Sequence, residues 1–377
     1  MESINTPSLP FCPPPKGENN IQYFDFTSLQ KEGKVPKEFI WPSDQWVKSS
    51  GENIELPLID IRAIKNDEVA MVNAAKIVRK ACIKHGAFEV TNIGEGVDLD
   101  FINVVLQETN NIFKLPLSKK ISAITKDCGF SIAHAERYTT VLPWKETFTF
   151  MYKHNNKNVT QVVDVLNSLL GQDFQQVGLV YQKYCDAMNE LSKIILELLA
   201  ISLGVDRKHY QRFFEDAESM MRCNFYPPCS ANLNGALGNG PHCDPISITI
   251  LLQDQVGGLE IFADNKWLAI PPKPNTFVIN IGDTFMALTN GLYKSCLHRV
   301  LVSNELERKS LTFFLNPRGD KTVTPPNELL EKEESRKYPD YKWNDLYKFT
   351  QKTRRVDANT LDSFIAWQQS SKPSTNF

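Results

Sequence analysis

The sequence predicts an α+β domain in which helices flank a β-barrel-like core of sandwich or jelly-roll type. Three features carry that expectation. Helical apolar periodicity dominates before residue 204. Short β-branched runs bounded by Gly, Pro and Asn follow Met220. A charged, helical tail then occupies roughly residues 327–369. The chain divides accordingly into an N-terminal arm (1–55), a mainly helical region (56–215), the β core (216–318) and a C-terminal helical region (319–377).

The elements follow in order. Residues 1–20 are Pro-rich and polar, with Pro7, Pro10, Pro13, Pro14 and Pro15, the composition of a loose arm. Residues 56–61 read as a short strand. Residues 67–84 read as a helix, because Val69, Val72, Ala75, Val78 and Cys82 recur at helical spacing and Gly86 suits a C-cap. Residues 88–90 give a second strand. Residues 101–113 carry an amphipathic helix with Val104, Val105, Thr109 and Ile112 near one face. A longer helix is expected over 174–203, through Tyr181, Tyr184, Met188, Leu191, Ile195 and Leu198. Beyond Met220, strands are expected at 247–253, 259–262, 267–270, 276–281, 297–302 and 311–314, with a turn at Gly257-Gly258.

Composition excludes several classes. The 377 residues carry 42 Lys+Arg against 44 Asp+Glu, a formal net charge of -2. Such a chain has no bulk electrostatic reason to bind nucleic acid or an anionic membrane. No apolar run reaches the length of a membrane-spanning helix. The N-terminus lacks a basic and an apolar signal region, and Glu2 is incompatible with N-myristoylation. A cytoplasmic monomer is the expectation. The eight scattered cysteines, without a Cys-x-x-Cys pair, are then free thiols, and the sequon Asn158-Val159-Thr160 has no glycosylation machinery to meet.

The chemistry concentrates in the β core. Of six histidines, His242 opens His242-Cys243-Asp244, and His298 lies in a later strand. Alternate residues of a strand share a face, so His242 and Asp244 can enter one barrel mouth with His298 opposite. Two imidazoles and one carboxylate form the facial triad of non-haem iron(II) oxygenases, which leaves three coordination positions open. The same ligands suit a hydrolytic zinc site. Ten residues after His298 comes Arg308-Lys309-Ser310. A guanidinium fork beside a hydroxyl suits a carboxylate, so a dicarboxylate cosubstrate chelating the metal at its other end explains both sets. The alternative for Arg308 is a surface ion pair with Glu305 or Glu307.

His242-x-Asp244…His298 followed by Arg308-x-Ser310 resembles the plant iron(II)/2-oxoglutarate-dependent dioxygenases. Asn224-Phe225-Tyr226-Pro227-Pro228-Cys229 is similar to a further segment of theirs, and the likeness runs from residue 35 to 314. Leu142-Pro143-Trp144-Lys145-Glu146-Thr147, Gly240-Pro-His-Cys-Asp-Pro245 and residues 280–291 resemble the gibberellin 20-oxidase branch. The resemblance implies a distorted double-stranded β-helix (jelly roll) with flanking helices. It implies Fe(II) on His242, Asp244 and His298, and 2-oxoglutarate held by Arg308, Ser310, Tyr226 and Asn224, with ascorbate supporting activity. The implied reaction uses O2 to oxidise the C-20 methyl of a gibberellin precursor. It runs through alcohol and aldehyde toward a C19 gibberellin or a C-20 acid. The substrate would be a diterpenoid acid, and Lys145, Arg137 and Arg222 are the candidate cations for its carboxylates. Lys145 can equally be a solvated charge, and Trp144 either plain core or an apolar wall for the substrate.

Departures bear on the substrate. Residues 131–141 differ from the branch's usual small-residue pattern, although Arg137 has a counterpart. Asn92-Ile93-Gly94 stands where Asn-His-Gly is common, and Leu292 replaces an arginine. The competing readings are an oxidase of another small plant metabolite (gibberellin 2- or 3-position, auxin, flavonoid) and a jelly-roll module that binds without turnover. His134-Ala135-Glu136 resembles a zinc-deaminase element, but no Pro-Cys-x-x-Cys follows, so a surface loop is expected there. Cys243 should face away from its two neighbours, into core.

Overall fold

Burial on both faces of one large sheet organises the chain. The computed structural model describes residues 23–33, 35–42, 48–126, 128–135, 141–153, 161–229, 235–331, 335–353 and 357–371. Its strands are β1 (Leu58–Asp60), β2 (Ala87–Thr91), β3 (Gly129–Ile132), β4 (Glu146–Lys153), β5 (Glu218–Tyr226), β6 (Leu237–His242), β7 (Ile248–Gln253), β8 (Leu259–Ala263), β9 (Lys266–Ala269), β10 (Thr276–Ile281), β11 (His298–Leu301), β12 (Arg308–Leu315), β13 (Thr322–Val323) and β14 (Tyr341–Lys342). An eight-stranded sheet runs β1-β2-β10-β7-β12-β5-β4-β3, and a four-stranded sheet runs β6-β11-β8-β9. Only the β1–β2 pair of the large sheet is parallel.

The principal helices are α1 (Phe26–Glu32), α2 (Ile61–Ile64), α3 (Glu68–Lys84), α4 (Leu99–Phe113), α5 (Leu117–Ser122), α6 (Gln161–Leu170), α7 (Gln175–Leu203), α8 (His209–Phe213), α9 (Asp283–Leu288), α10 (Asn327–Leu330), α11 (Trp343–Thr353) and α12 (Thr360–Ser371). The strand alternation separates two cores. Ile248, Ile250 and Leu252 of β7 and Phe277, Ile279 and Ile281 of β10 join the helix-side cluster with Val78 and Leu191. Leu251 and Val278 face the other way and meet Leu259, Ile261 and Val300 of the small sheet. The two sheets therefore close on each other as a jelly roll, and helices cover the outer face of the large one. Because β7 and β10 are buried on both sides, they read as near-continuous apolar runs.

Local signals explain the helices. Asp67 caps α3 by accepting the Ala70 N–H, and Asp98 caps α4 by accepting the Phe101 N–H. In α3 the buried stripe is Met71, Ala74, Ala75, Val78, Ala81 and Cys82, while Val69 is 70% exposed. The i+3 run from Val78 back to Val69 drifts about 60° per step on a helix of about 100° per residue, which carries Val69 to the opposite face. Val104 of α4 likewise faces solvent, a turn of about 100° from buried Val105. Strands β3 and β4 form where the sequence analysis gives none. Phe148, Phe150 and Tyr152 enter the helix-side core and Thr147 and Thr149 face inward, an alternation hidden beneath the Leu142–Thr147 motif.

The N-terminal arm contributes to the barrel side. Phe26 and Phe39 stack edge-on against Trp144, with ring centroids 4.9 and 5.0 Å apart. Trp41 covers Gly240, where an added Cβ would lie 2.2 Å from the indole. The C-terminal tail is mainly helical, and β13 and β14, on either side of α10, pair as a two-stranded antiparallel ladder. The seven described cysteines are free thiols. Among the described residues no helix is long and apolar enough to cross a membrane.

One glycine tests this architecture. Gly86 ends α3 at φ +73°, donates its N–H to Ala81 O, and leaves only 2.2 Å between a built Cβ and Lys294 O. Gly86→Ala is expected to lower stability by at least ~2 kcal/mol, from left-handed backbone strain plus the collision. Chemical denaturation of the purified variant checks it; an unchanged midpoint would show that the 292–296 segment yields freely.

Candidate active site

Pairing of β6 with β11 puts His242 directly across from His298. Their ring centroids are 4.0 Å apart. Strand β6 ends at His242, so Asp244 enters from the turn that follows rather than from the strand itself. Its Oδ1 lies 3.6 Å from His242 Nε2, and its Oδ2 lies 3.9 Å from His298 Nε2. One ligand atom from each of the three lies within 4.8 Å of the others, the only such cluster of three found among the described residues.

The imidazoles are preset. His242 Nδ1 is 2.8 Å from Gly240 O, and His298 Nδ1 is 3.0 Å from Cys296 O. Each Nδ1–H donates to the carbonyl two residues upstream, which leaves Nε2 as the lone-pair atom facing Asp244. Burial, reinforced by the His298 ring, pushes the His242 pKa down to about 3, against the pull of Asp244. Burial pushes Asp244 up, but the two imidazoles and the Thr249 hydroxyl outweigh it and hold the carboxyl below its usual range. Thr249 Oγ1 donates to Asp244 Oδ2 at 2.5 Å. Neutral imidazoles and an ionised carboxylate are the forms that ligate a metal, so the donor set fits ferrous iron.

The inner face of the large sheet is a ladder of side chains fixed by register. One rung carries Tyr226 and Arg308. The next carries Thr147, Asn224, Ser310 and Gln253. A third carries Thr149, Arg222, Thr312 and Leu251. The last carries Met151, Met220, Phe314, Thr249 and Asn280. Arg308 is 1% exposed. Its Nη1 lies 3.4 Å from Ser310 Oγ, its Nη2 donates to Gln253 Oε1 at 3.2 Å, and its guanidinium lies 4.8 Å from the Tyr226 ring centre. Its Nε is buried without a partner, and among the described residues no carboxylate forms an ion pair with it. Glu307 instead pairs with Lys309 at 3.5 Å, so the surface-pair alternative fails. A buried guanidinium of this kind calls for an anion from outside the chain. Asn224 Nδ2 braces the rung by donating to Ser310 Oγ at 3.3 Å and Thr312 Oγ1 at 3.1 Å.

These groups line one cavity of about 670 Å³, which reaches from the His–Asp–His cluster to α11. That volume suits a small organic molecule together with a cosubstrate. Lys145 is 3% exposed and lines it, so it is no solvated charge. Arg222 also lines it, with Nε donating to Thr149 Oγ1 at 3.2 Å. Trp144 does not line the cavity: its indole donates to Pro227 O at 3.0 Å within the second core. Arg137 lies outside the described residues. Cys243 points away from the ligands, toward Ser295 O, although it lies in the turn after β6 and not in the strand.

Four contributors escaped the sequence reading. His134 is no surface residue: it is 8% exposed, its Nδ1 is 2.8 Å from Ser131 Oγ, and it lines the cavity. Its left-handed backbone (φ +47°, beside Ala133 at +55°) turns the chain inward there, which no periodicity announces. Asn280 faces the cavity from β10. Asn344 and Tyr347 of α11 close its outer end. Alternation within the strands could have found Asn280, but nothing local marks the reach of α11.

Comparison with known proteins places this geometry. The family model for the 2OG-Fe(II) oxygenase superfamily matches residues 217–317, and that for the non-haem dioxygenase in morphine synthesis N-terminal region matches 56–168. Gibberellin 20 oxidase 1 of Arabidopsis thaliana is 44% identical over 360 residues, covering 94% of this chain and 95% of the relative. Gibberellin 20 oxidase 2 of Oryza sativa subsp. indica is 44% identical over 372 residues, covering 96% and 94%. Among solved structures, JOX2 in complex with 2OG, Fe and JA is similar with a TM-score of 0.73 at 26% identity, covering 89% of this chain and 97% of that one. The rice dioxygenase for auxin oxidation follows with 0.68 at 26% identity, covering 82% and 99%. The chain therefore belongs to the 2OG-Fe(II) oxygenase superfamily and, within it, to the family of the gibberellin 20 oxidases.

Proposed function

We propose that this enzyme oxidises the C-20 methyl of a gibberellin precursor, stepwise through alcohol and aldehyde, in gibberellin biosynthesis. One observation supports the reading above the rest: a buried guanidinium that forms no ion pair among the described residues shares a single cavity with a His–Asp–His cluster, in a chain 44% identical to gibberellin 20 oxidases along most of its length. In this reading His242, Asp244 and His298 hold iron(II), while Arg308, Ser310, Tyr226 and Asn224 hold 2-oxoglutarate. Iron(II) with 2-oxoglutarate supplies the oxidising power for O2 chemistry, with succinate and CO2 as by-products.

The chain's own part is binding, orientation and exclusion of water. Arg308 and Ser310 grip the far carboxylate of the cosubstrate, and Gln253 and Asn224 keep that fork and hydroxyl in register. Lys145 and Arg222 give the cavity two more cationic groups near the metal site, suited to a diterpenoid carboxylate. Burial strengthens both interactions, because the walls replace solvent. The enzyme acts as a cytoplasmic monomer on small molecules, without nucleic acid or membrane. Mass spectrometry of products from a C20 gibberellin precursor, iron(II) and 2-oxoglutarate tests the whole reading. Turnover of an auxin, a flavonoid or the 2- or 3-position of a gibberellin in its place would replace it.

Three substitutions probe the assignment. Asp244→Ala is expected to eliminate iron binding and cut succinate formation by more than the roughly 100-fold that loss of an outer-shell partner costs; wild-type succinate release would refute the metal set. Arg308→Lys keeps the charge and loses the fork. The half-saturating 2-oxoglutarate concentration should rise roughly 10- to 100-fold, the worth of a hydrogen bond to a charged group. An unchanged value would remove Arg308 from the cosubstrate site. Arg222→Met should raise the precursor KM about tenfold or more and leave 2-oxoglutarate saturation alone. Equal effects on both would place Arg222 with the cosubstrate.

A further inference from the structure

Asn280 is 1% exposed, and among the described residues neither its Nδ2 nor its Oδ1 has a hydrogen-bond partner. A buried carboxamide with both ends unpaired is rare in folded proteins, so its partner belongs to whatever fills the space it faces. That space is the cavity. On β10, Ile279 and Ile281 join the helix-side core and Val278 joins the barrel-side core, so Asn280 shares the inward face with Val278. It stands across from Thr249, whose hydroxyl donates to Asp244 Oδ2. Paired residues on one sheet face have Cβ atoms about 5 Å apart, which puts the amide beside the Asp244 side of the metal site.

The cosubstrate clamp is elsewhere. Ser310 and Phe314 are four residues apart on β12, and the rung of Phe314, Thr249 and Asn280 therefore lies about 13 Å along the sheet from the rung of Ser310. Beyond Thr249 on that rung come Phe314, Met220 and Met151, one strand further each time, an apolar surface suited to a hydrocarbon skeleton. A single amide at the edge of that surface, offering one donor end and one acceptor end, matches a substrate that gains a polar group at one carbon. A methyl takes no hydrogen bond. The alcohol formed from it donates and accepts, and the aldehyde accepts.

We infer that Asn280 is a substrate-positioning residue that holds the oxygen each round of oxidation leaves on the reacting carbon, and so retains the partly oxidised intermediates beside the metal. This rests on the stepwise oxidation proposed above. It makes Asn280 selective for oxidation level: silent toward the methyl and engaged by the alcohol and the aldehyde.

Asn280→Leu, of similar shape and without polar ends, separates the possibilities. With no intramolecular hydrogen bond to lose, its metal-free thermal midpoint is expected to equal or exceed that of the wild type. Anaerobic titration with iron(II) and 2-oxoglutarate, followed by the visible charge-transfer band of the chelate, should match the wild type. The KM for a precursor at the methyl level should stay within about twofold, while KM values for the alcohol and the aldehyde supplied separately rise roughly tenfold, and both intermediates accumulate in time courses. Equal changes at all three oxidation levels, a weakened chelate band, or a lowered midpoint with unchanged KM values would each overturn the inference. Asn280→Ala gives the same comparison if the leucine variant does not fold. A wild-type enzyme that turns over none of the three substrates fails the functional reading itself; wild-type turnover matched in full by the variant fails Asn280 alone.

Discussion

The antiparallel pairing of β6 with β11 is the constraint on which the site depends. It sets His242 opposite His298, and the carbonyls of Gly240 and Cys296 then fix which nitrogen of each ring carries the proton. A shift of one residue in that pairing would turn one imidazole out of the barrel and deny the metal a ligand. The surroundings protect the register. Trp41 of the arm lies against Gly240, two residues before His242, where any larger side chain would collide. The neighbour on the other side, β8, pairs Ile261 with His298. The metal site is thus a property of strand alignment within the small sheet, whose β6 and β11 carry the two histidines, and the arm and β8 support that alignment from either side.

The second organising element is charge placed out of water. Arg308, Lys145 and Arg299 are each at most 3% exposed. Arg299 is answered within the fold, by Glu260 at 2.7 Å and by the face of Trp267 at 4.3 Å. Likewise the buried Glu146 carboxylate is answered by Lys120 at 2.5 Å. Arg308 has no such carboxylate among the described residues, and its Nε is left over. That contrast separates structural ion pairs from a binding site more sharply than burial does, since unanswered buried charge is costly and persists only where a ligand completes it.

The cavity reads as graded along the sheet. The end marked by Arg308 and Ser310 is cationic and hydroxylated, the middle carries Arg222 and Thr149, and the far end is Met151, Met220 and Phe314 with Asn280 at the edge. Two-residue periodicity builds this gradient from four strands that meet only in three dimensions. Chain segments distant in sequence complete it: His134 from the turn after β3, and α11 from the tail.

Much of this was legible in the residues alone. The helices at 67–84, 101–113 and 174–203, six of the strands after Met220 and the His242, Asp244, His298 and Arg308 set all follow from local patterns, because capping, periodicity and metal-ligand chemistry act over a few residues. The pattern was blurred where both faces of a strand are buried, as in β7, and where an i+3 run drifts around a helix, as at Val69. Only the tertiary structure decided that Lys145 and His134 are buried against the cavity, that Trp144 belongs to the core, and that among the described residues Arg308 forms no ion pair with a carboxylate and Asn280 has no hydrogen-bond partner at either end. The physical reason is common to all of them. Whether a polar group is satisfied depends on atoms brought within hydrogen-bonding distance by folding, and sequence spacing encodes the direction a side chain points but not what it meets there.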